Sequence, residues 1–123
     1  MSTFMLPNRL STLMQQRAEW LNAKTELTVE NIANADMKSA RRKEIAPFLK
    51  ILQHSQQART STGKLLSDVK SFHIRSDDIV TTKDEISREQ EMMQLTRTTT
   101  DHDGLINVIK KFHQMYRTVL AKG

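Results

Sequence analysis

The stretch from Asn8 to Ala35, NRLSTLMQQRAEWLNAKTELTVENIANA, decides the fold class. Leu10, Leu13, Met14, Arg17, Trp20, Leu21, Lys24, Leu27 and Ile32 are apolar or carry long apolar stems, and most recur in steps of three and four. That spacing lines side chains along one stripe of an α-helix, the seam by which a helix packs lengthwise on another. Gln15, Glu19, Asn22, Glu26 and Glu30 occupy the other face. Pro7 suits a first helical turn, where its missing N–H is no loss. A helix over 8–35 would be roughly 40 Å long at 1.5 Å per residue.

The other end of the chain reads the same way. Thr82-Lys83-Asp84-Glu85 has the form of a capping box, in which hydroxyl and carboxylate each satisfy an orphan backbone N–H. Beyond it Ile86, Met92, Met93, Leu95, Leu105, Ile106, Ile109, Phe112, Tyr116, Val119 and Leu120 keep helical spacing. A continuous helix over 84–121 would span roughly 55 Å. Thr98-Thr99-Thr100 lowers its propensity, and Gly104 costs about 1 kcal/mol relative to Ala, so a kink or a close helix contact is expected at Gly104.

Between the ends the pattern is weaker. The periodicity breaks over Met37–Lys43, and Pro47 then opens Phe48, Leu49, Ile51 and Leu52, about two or three helical turns. Residues 54–82 read mostly as loop, with a short helix near 63–71 along the trace Leu65, Leu66, Val69, Phe72 and Ile74. The expectation is an all-α single domain: an N-terminal helical segment over 1–36, a short-helix and partly irregular middle over 37–82, and a C-terminal helix over 83–123. The long amphipathic helices would pack as a coiled-coil-like hairpin. Their stripes are wider than one partner needs, and the remaining apolar surface calls for further partners.

Composition agrees. Of 123 residues 37% are hydrophobic and 27% charged, with 3 Gly, 2 Pro and few aromatics, poor material for a sandwich or barrel. With no cysteine, disulfides, thiolate metal sites and Cys nucleophiles are excluded. Residues 1–13 lack the cationic and apolar regions of a Sec-type signal, and no window reaches the roughly 20 apolar residues of a membrane span. Direct membrane insertion is not expected. The net charge of +5 raises nucleic acid as a partner. Arg41-Arg42-Lys43 is the one basic triple and Lys110-Lys111 a pair, with acids read as interspersed elsewhere, the pattern of solvated helix faces.

A search for chemistry finds little. His54, His73, His102 and His113 show no i, i+4 pair, and His102 and His113 would stand about 16 Å apart along a helix. No Gly-x-Ser-x-Gly elbow occurs, and Gly63-Lys64 lacks the earlier glycine of a phosphate loop. Asp77-Asp78 and Asp84-Glu85 sit where turns and helix starts place acids. The seven methionines fit adaptable core or interface positions. Neither enzyme activity nor a cofactor or metal is expected.

One string is more specific. Arg17-Ala18-Glu19-Trp20-Leu21 precedes Asn31-Ile32-Ala33-Asn34-Ala35-Asp36, with Arg41, Glu44, Ile45 and Pro47 downstream. This resembles the R-x-x-W-L and N-I-A-N-A-D signature of the bacterial flagellar axial (rod) protein family, most closely its proximal rod subunits. Ile86-Ser87-Arg88-Glu89-Gln90-Glu91-Met92-Met93 is similar to the family's V-x-L-E-x-x-M segment, and the tail from Lys110 to Leu120 to its terminal helix. Both ends match, roughly two thirds of the chain; in the middle only His73-Ile74 does. The T-P-G-Y that usually follows is replaced by Met37-Lys38-Ser39-Ala40, so the usual tight turn is not encoded. Lys83-Asp84 stands for Gly-Asn, and Thr99 and His102 for Asn and Tyr.

The resemblance implies a structural subunit of the rod, the shaft between inner-membrane ring and hook, lying in the periplasm. It implies export by the flagellar type III apparatus without a Sec signal. Partners would be further copies, other rod proteins and the inner-membrane ring with its adaptors. The assembly interface would take in Leu10, Leu13, Arg17, Trp20, Leu21, Leu27, Asn31, Ile32, Asn34 and Asp36 from the first helix. From the last it would take Ile86, Met92, Leu105, Ile109, Phe112, Tyr116 and Leu120. Asn31, Asn34 and Asp36 would hydrogen-bond at the helix end or to a neighbour, or only cap the helix. Another proximal rod protein is the alternative within the family; a small basic helical nucleic-acid-binding protein is the alternative from a different class.

Overall fold

A computed structural model of the chain describes residues 2–61 and 72–122, with side chains over 9–55 and 72–121. The order is α1 (Ser2–Ala33), β1 (Arg41–Ile45), α2 (Phe48–Ser61), a 3-10 turn (Ser76–Asp78), β2 (Ile79–Glu85) and α3 (Arg88–Lys122). The helix expected near 63–71 lies outside the described residues. The largest contact between elements is α1 on α3. Asp36 meets Arg88 at 2.9 Å, while Leu105 packs against the cluster of Trp20 and Leu21. The two helices are therefore antiparallel, and the same register carried onward sets Phe112 and Tyr116 level with Leu13 and Arg9.

The expectation of an all-α chain needs correction. The structure is mostly helical, but β1 and β2 form a two-stranded antiparallel sheet, Glu44 opposite Val80 and Ile45 opposite Ile79. Arg41-Arg42-Lys43-Glu44-Ile45 shows no apolar alternation because both faces of this strand are polar or half-buried. What makes it a strand is its partner: Ile79-Val80-Thr81-Thr82, four β-branched residues in a row, supplies the extended backbone it pairs with. That run was the legible signal.

The capping-box reading of Thr82–Glu85 is corrected with it. Thr82 lies in β2, where its hydroxyl donates to the Arg42 carbonyl at 2.9 Å and accepts from the Asp84 N–H at 3.2 Å. The helix starts at Arg88, with Ser87 as its cap: the Glu91 N–H reaches the Ser87 carbonyl at 2.9 Å and the Gln90 N–H faces its hydroxyl at 3.5 Å. Ser87-Arg88-Glu89-Gln90 is itself a Ser-x-x-Gln capping sequence. Ile86, assigned to the helical seam, thus sits ahead of the helix. α3 then runs unbroken through the threonines, where the Thr96 and Thr100 hydroxyls donate to the carbonyls of Met92 and Thr96. A Cβ at Gly104 would meet nothing within 4 Å, so the close contact expected there is absent among the described residues.

The apolar core is small and off-centre. Among the described residues Trp20, Leu21, Ile51 and Phe72 are its buried members, with Ile45, Ala46, Phe48, Leu52, Ile74 and Leu105 packed around them. α2 meets α1 here through Phe48 on Trp20, and α3 through Leu105. The loop after α1 makes successive turns without glycine or proline. Met37 and Ala40 N–H groups bond to the carbonyls of Asn34 and Met37, and Arg41 donates to the carbonyls of Lys38 and Ala40.

Candidate assembly interface

Trp20 organises the middle of the molecule. Its indole N–H donates to the Ala46 carbonyl at 2.8 Å, fixing the chain as it leaves β1. The ring packs edge-on to Phe48, with centroids 6.3 Å apart, and Phe48 in turn against Phe72 at 5.6 Å. Arg17 lies 4.6 Å from the Trp20 centroid and Lys24 5.1 Å from it, a pair of cation–π contacts one helical turn either side. Trp20 therefore faces α2 and the end of β1.

Polar residues fasten the hairpin to the helices. Asn31, buried on α1, donates through its side-chain amide to the Lys43 carbonyl at 3.0 Å and accepts the Lys43 N–H at 3.1 Å. The side-chain amide thus supplies both partners that a neighbouring strand would offer β1. Lys43 also pairs with Glu30 at 2.8 Å. The register of the sheet shifts between Arg41 and Lys43, and an irregularity of this kind re-aims a side chain. Arg42 points to α3, where its Nε meets Glu91 Oε1 at 2.5 Å, and it also pairs with Glu44. Burial works against the Arg42 charge, but the hydrogen bonds and charges of Glu44 and Glu91 outweigh it and hold the guanidinium above its ordinary range.

Glu91 is 1% exposed, and its Oε2 has no hydrogen-bond partner among the described residues. Thr98, one heptad on, is 2% exposed, and Leu105 and Phe112 continue the same face. The α1–α3 seam is thus polar at the hairpin end and apolar towards the chain termini. Glu91, Thr98, Thr28 and Arg42 are structural residues that reasoning from apolar periodicity misses, since it scores polar side chains as outward-facing. The heptad interval from Glu91 to Phe112 was the available signal.

The anticipated interface residues divide into three groups. Trp20, Leu21 and Asn31 are buried within the chain; Arg17, Leu27, Ile32, Asn34, Ile86, Leu105, Ile109, Phe112 and Tyr116 are half-buried; Leu10, Leu13, Asp36, Met92 and Leu120 are exposed. The anticipated interface left out a further exposed set on α3: Met93 and Val119, read from the sequence only as part of the helical spacing, with Val108 and Met115; Met115 and Val119 are 67% and 69% exposed. At 100° per residue Met93, Val108 and Met115 fall within one sector of the helix, beside the face turned to α1 and with Gly104 among them, and Val119, one heptad after Phe112, borders that face. The arrangement can bury a helix or another subunit. No group of three or more His, Asp or Glu among the described residues is placed to hold a metal ion, and no described helix is long and apolar enough to cross a membrane. Arg42 and Lys43 of the basic triple are engaged with carboxylates and Arg41 with carbonyls, which leaves that triple little to offer a phosphate backbone.

A comparison with known proteins bears on what such surfaces meet. The chain is similar to a flagellar rod protein. The flagellar basal body rod protein FlgB of Agrobacterium fabrum is 27% identical over a 127-residue alignment, which covers 94% of this chain and 95% of FlgB. The two chains correspond in length as well as in sequence, so the similarity to FlgB takes in both long helices and the hairpin between them. No protein-family model matches the chain, and no solved structure does.

Proposed function

We propose that the chain is a structural subunit of the bacterial flagellar basal-body rod, polymerising through its terminal helices into the shaft between membrane ring and hook. The observation that supports this best is the similarity to FlgB along nearly the whole of both chains. The apolar side chains left exposed on α1 and α3 fit the same role, since a subunit finished by assembly leaves such surface open until its neighbours arrive. Torque transmission asks for stiff helices and broad buried contacts, so the role is structural and not catalytic. Its partners in this reading are further copies, other rod proteins and the inner-membrane ring with its adaptors, and its route to the periplasm is the flagellar type III apparatus. Another proximal rod position in the same family is the alternative.

Deletion of the gene in its host, followed by electron microscopy of purified basal bodies, tests the proposal. The expected result is an inner-membrane ring without rod or hook. Intact basal bodies with normal rotation would overturn it.

A further inference from the structure

The net charge of this molecule is concentrated at one end. All fourteen carboxylate side chains lie between Glu19 and Asp103, whereas residues 1–18 and 104–123 carry Arg9, Arg17, Lys110, Lys111, Arg117 and Lys122 and no acid. The expectation of interspersed charge therefore holds for the body of the chain and fails for its ends. Because α1 and α3 are antiparallel, the described parts of these two segments form a single tip, and the acid-free segments that make it carry the whole of the net charge. Among the described residues Lys110, Lys111 and Arg117 have no ion-pair partner, and the first two with Arg117 line an open groove of about 570 Å³. Exposed Val108, Met115, Val119 and Leu120 lie beside them.

The opposite end has the complementary surface. Asp84 and Glu85 at the end of β2 line a groove of about 360 Å³ with Arg42, Arg97 and exposed Met93, and Glu89 follows in the first turn of α3. Arg42 is taken up by Glu44 and Glu91 and Arg88 by Asp36, which leaves the three carboxylates beside Lys83 and Arg97 alone. These three carboxylates are exposed and unpaired among the described residues. Glu89 and Lys110 are roughly 30 Å apart along α3. The Debye length at physiological ionic strength is about 8 Å, so the two ends of one chain cannot neutralise each other. We infer that the cationic tip of one copy docks on the Asp84–Glu89 shoulder of a second copy, a head-to-tail contact in which exposed methionines and valines lie beside the ion pairs. A nucleic acid or an anionic lipid surface would satisfy the tip and leave the shoulder unpaired, whereas a second copy satisfies both. Such a contact joins two different surfaces, so each copy keeps one of them free for the next, and a filament results where the rotation between copies does not close a ring. The inference takes the rod reading for the setting in which copies meet, and names the surfaces that meet.

The test uses the full chain in two doubly reversed forms, Lys110→Glu with Lys111→Glu at the tip, and Asp84→Lys with Glu85→Lys at the shoulder. All four positions are exposed, and circular dichroism checks that both forms keep their helices. Sedimentation at rising concentration should show the wild type associating at low salt and separating at high salt. Each variant alone should associate roughly ten-fold more weakly or worse. An equal mixture should associate again, because the reversed tip now fits the reversed shoulder. Variants that associate like the wild type would overturn the inference, as would a mixture without rescue. A wild type that binds DNA or phosphatidylserine vesicles but not itself would also overturn it. If rescue is seen while the deletion strain builds normal rods, the contact stands and the rod reading falls. If the deletion strain lacks rods and the reversed variants associate normally, the reverse holds.

Discussion

Trp20 and Glu91 show how single side chains hold this fold. Trp20 is buried in the small apolar cluster and its N–H is bonded to the Ala46 carbonyl, so Trp20→Ala should destabilise the chain by about 3–5 kcal/mol in urea unfolding. A loss below 1 kcal/mol would mean that the cluster is not the core. Glu91 is a buried carboxylate whose one charged partner on a different element is Arg42. Removing one member of a buried ion pair leaves the other uncompensated, and Arg42→Ala should cost about 3–5 kcal/mol. Replacing both, Arg42→Met with Glu91→Leu, should recover most of that loss, because apolar residues fill the space without a desolvation penalty. A double variant as unstable as the single one would show that Arg42 acts through Glu44 instead.

At the scale of elements, the hairpin is held to α1 by Asn31, which makes two hydrogen bonds with the backbone of Lys43. Asn31→Ala should cost about 1–3 kcal/mol, the loss for leaving buried backbone groups unpaired, and should speed amide exchange in β1 before it affects α1. Exchange changing equally in both elements would contradict that order. Gly104 makes a different case. It lies inside α3 with open space where a Cβ would stand, so nothing within the chain requires glycine there. Gly104→Ala should raise thermal stability by about 1 kcal/mol. If the same substitution blocks rod assembly, the absent side chain serves a neighbour's close approach and not this helix.

For the whole molecule, the apolar side chains fall into an inner set around Trp20 and an outer set on α3. Met115 and Val119 contribute little to the isolated chain, being mostly exposed. Changing both to Ser should leave unfolding within about 0.5 kcal/mol of the wild type while reducing motility in a complemented deletion strain. Normal swimming by that strain would remove α3's outer face from the assembly surface. The basal-body experiment belongs at this scale too, because rod formation is a property of many copies.

The long helices were legible because their steps of three and four are written in adjacent residues, and helical spacing needs no distant partner to be recognised. The N-I-A-N-A-D string and the cationic, acid-free ends are likewise facts of linear order. The tertiary structure alone decided that Arg41–Ile45 is a strand, since five mostly charged residues become one only when Ile79–Glu85 is brought alongside them. It also decided that Arg42 belongs with Glu91, a pairing across 49 residues that no local pattern encodes. And it joined the two cationic ends into one tip, because separation along the chain carries no information about proximity until α1 and α3 turn back on each other.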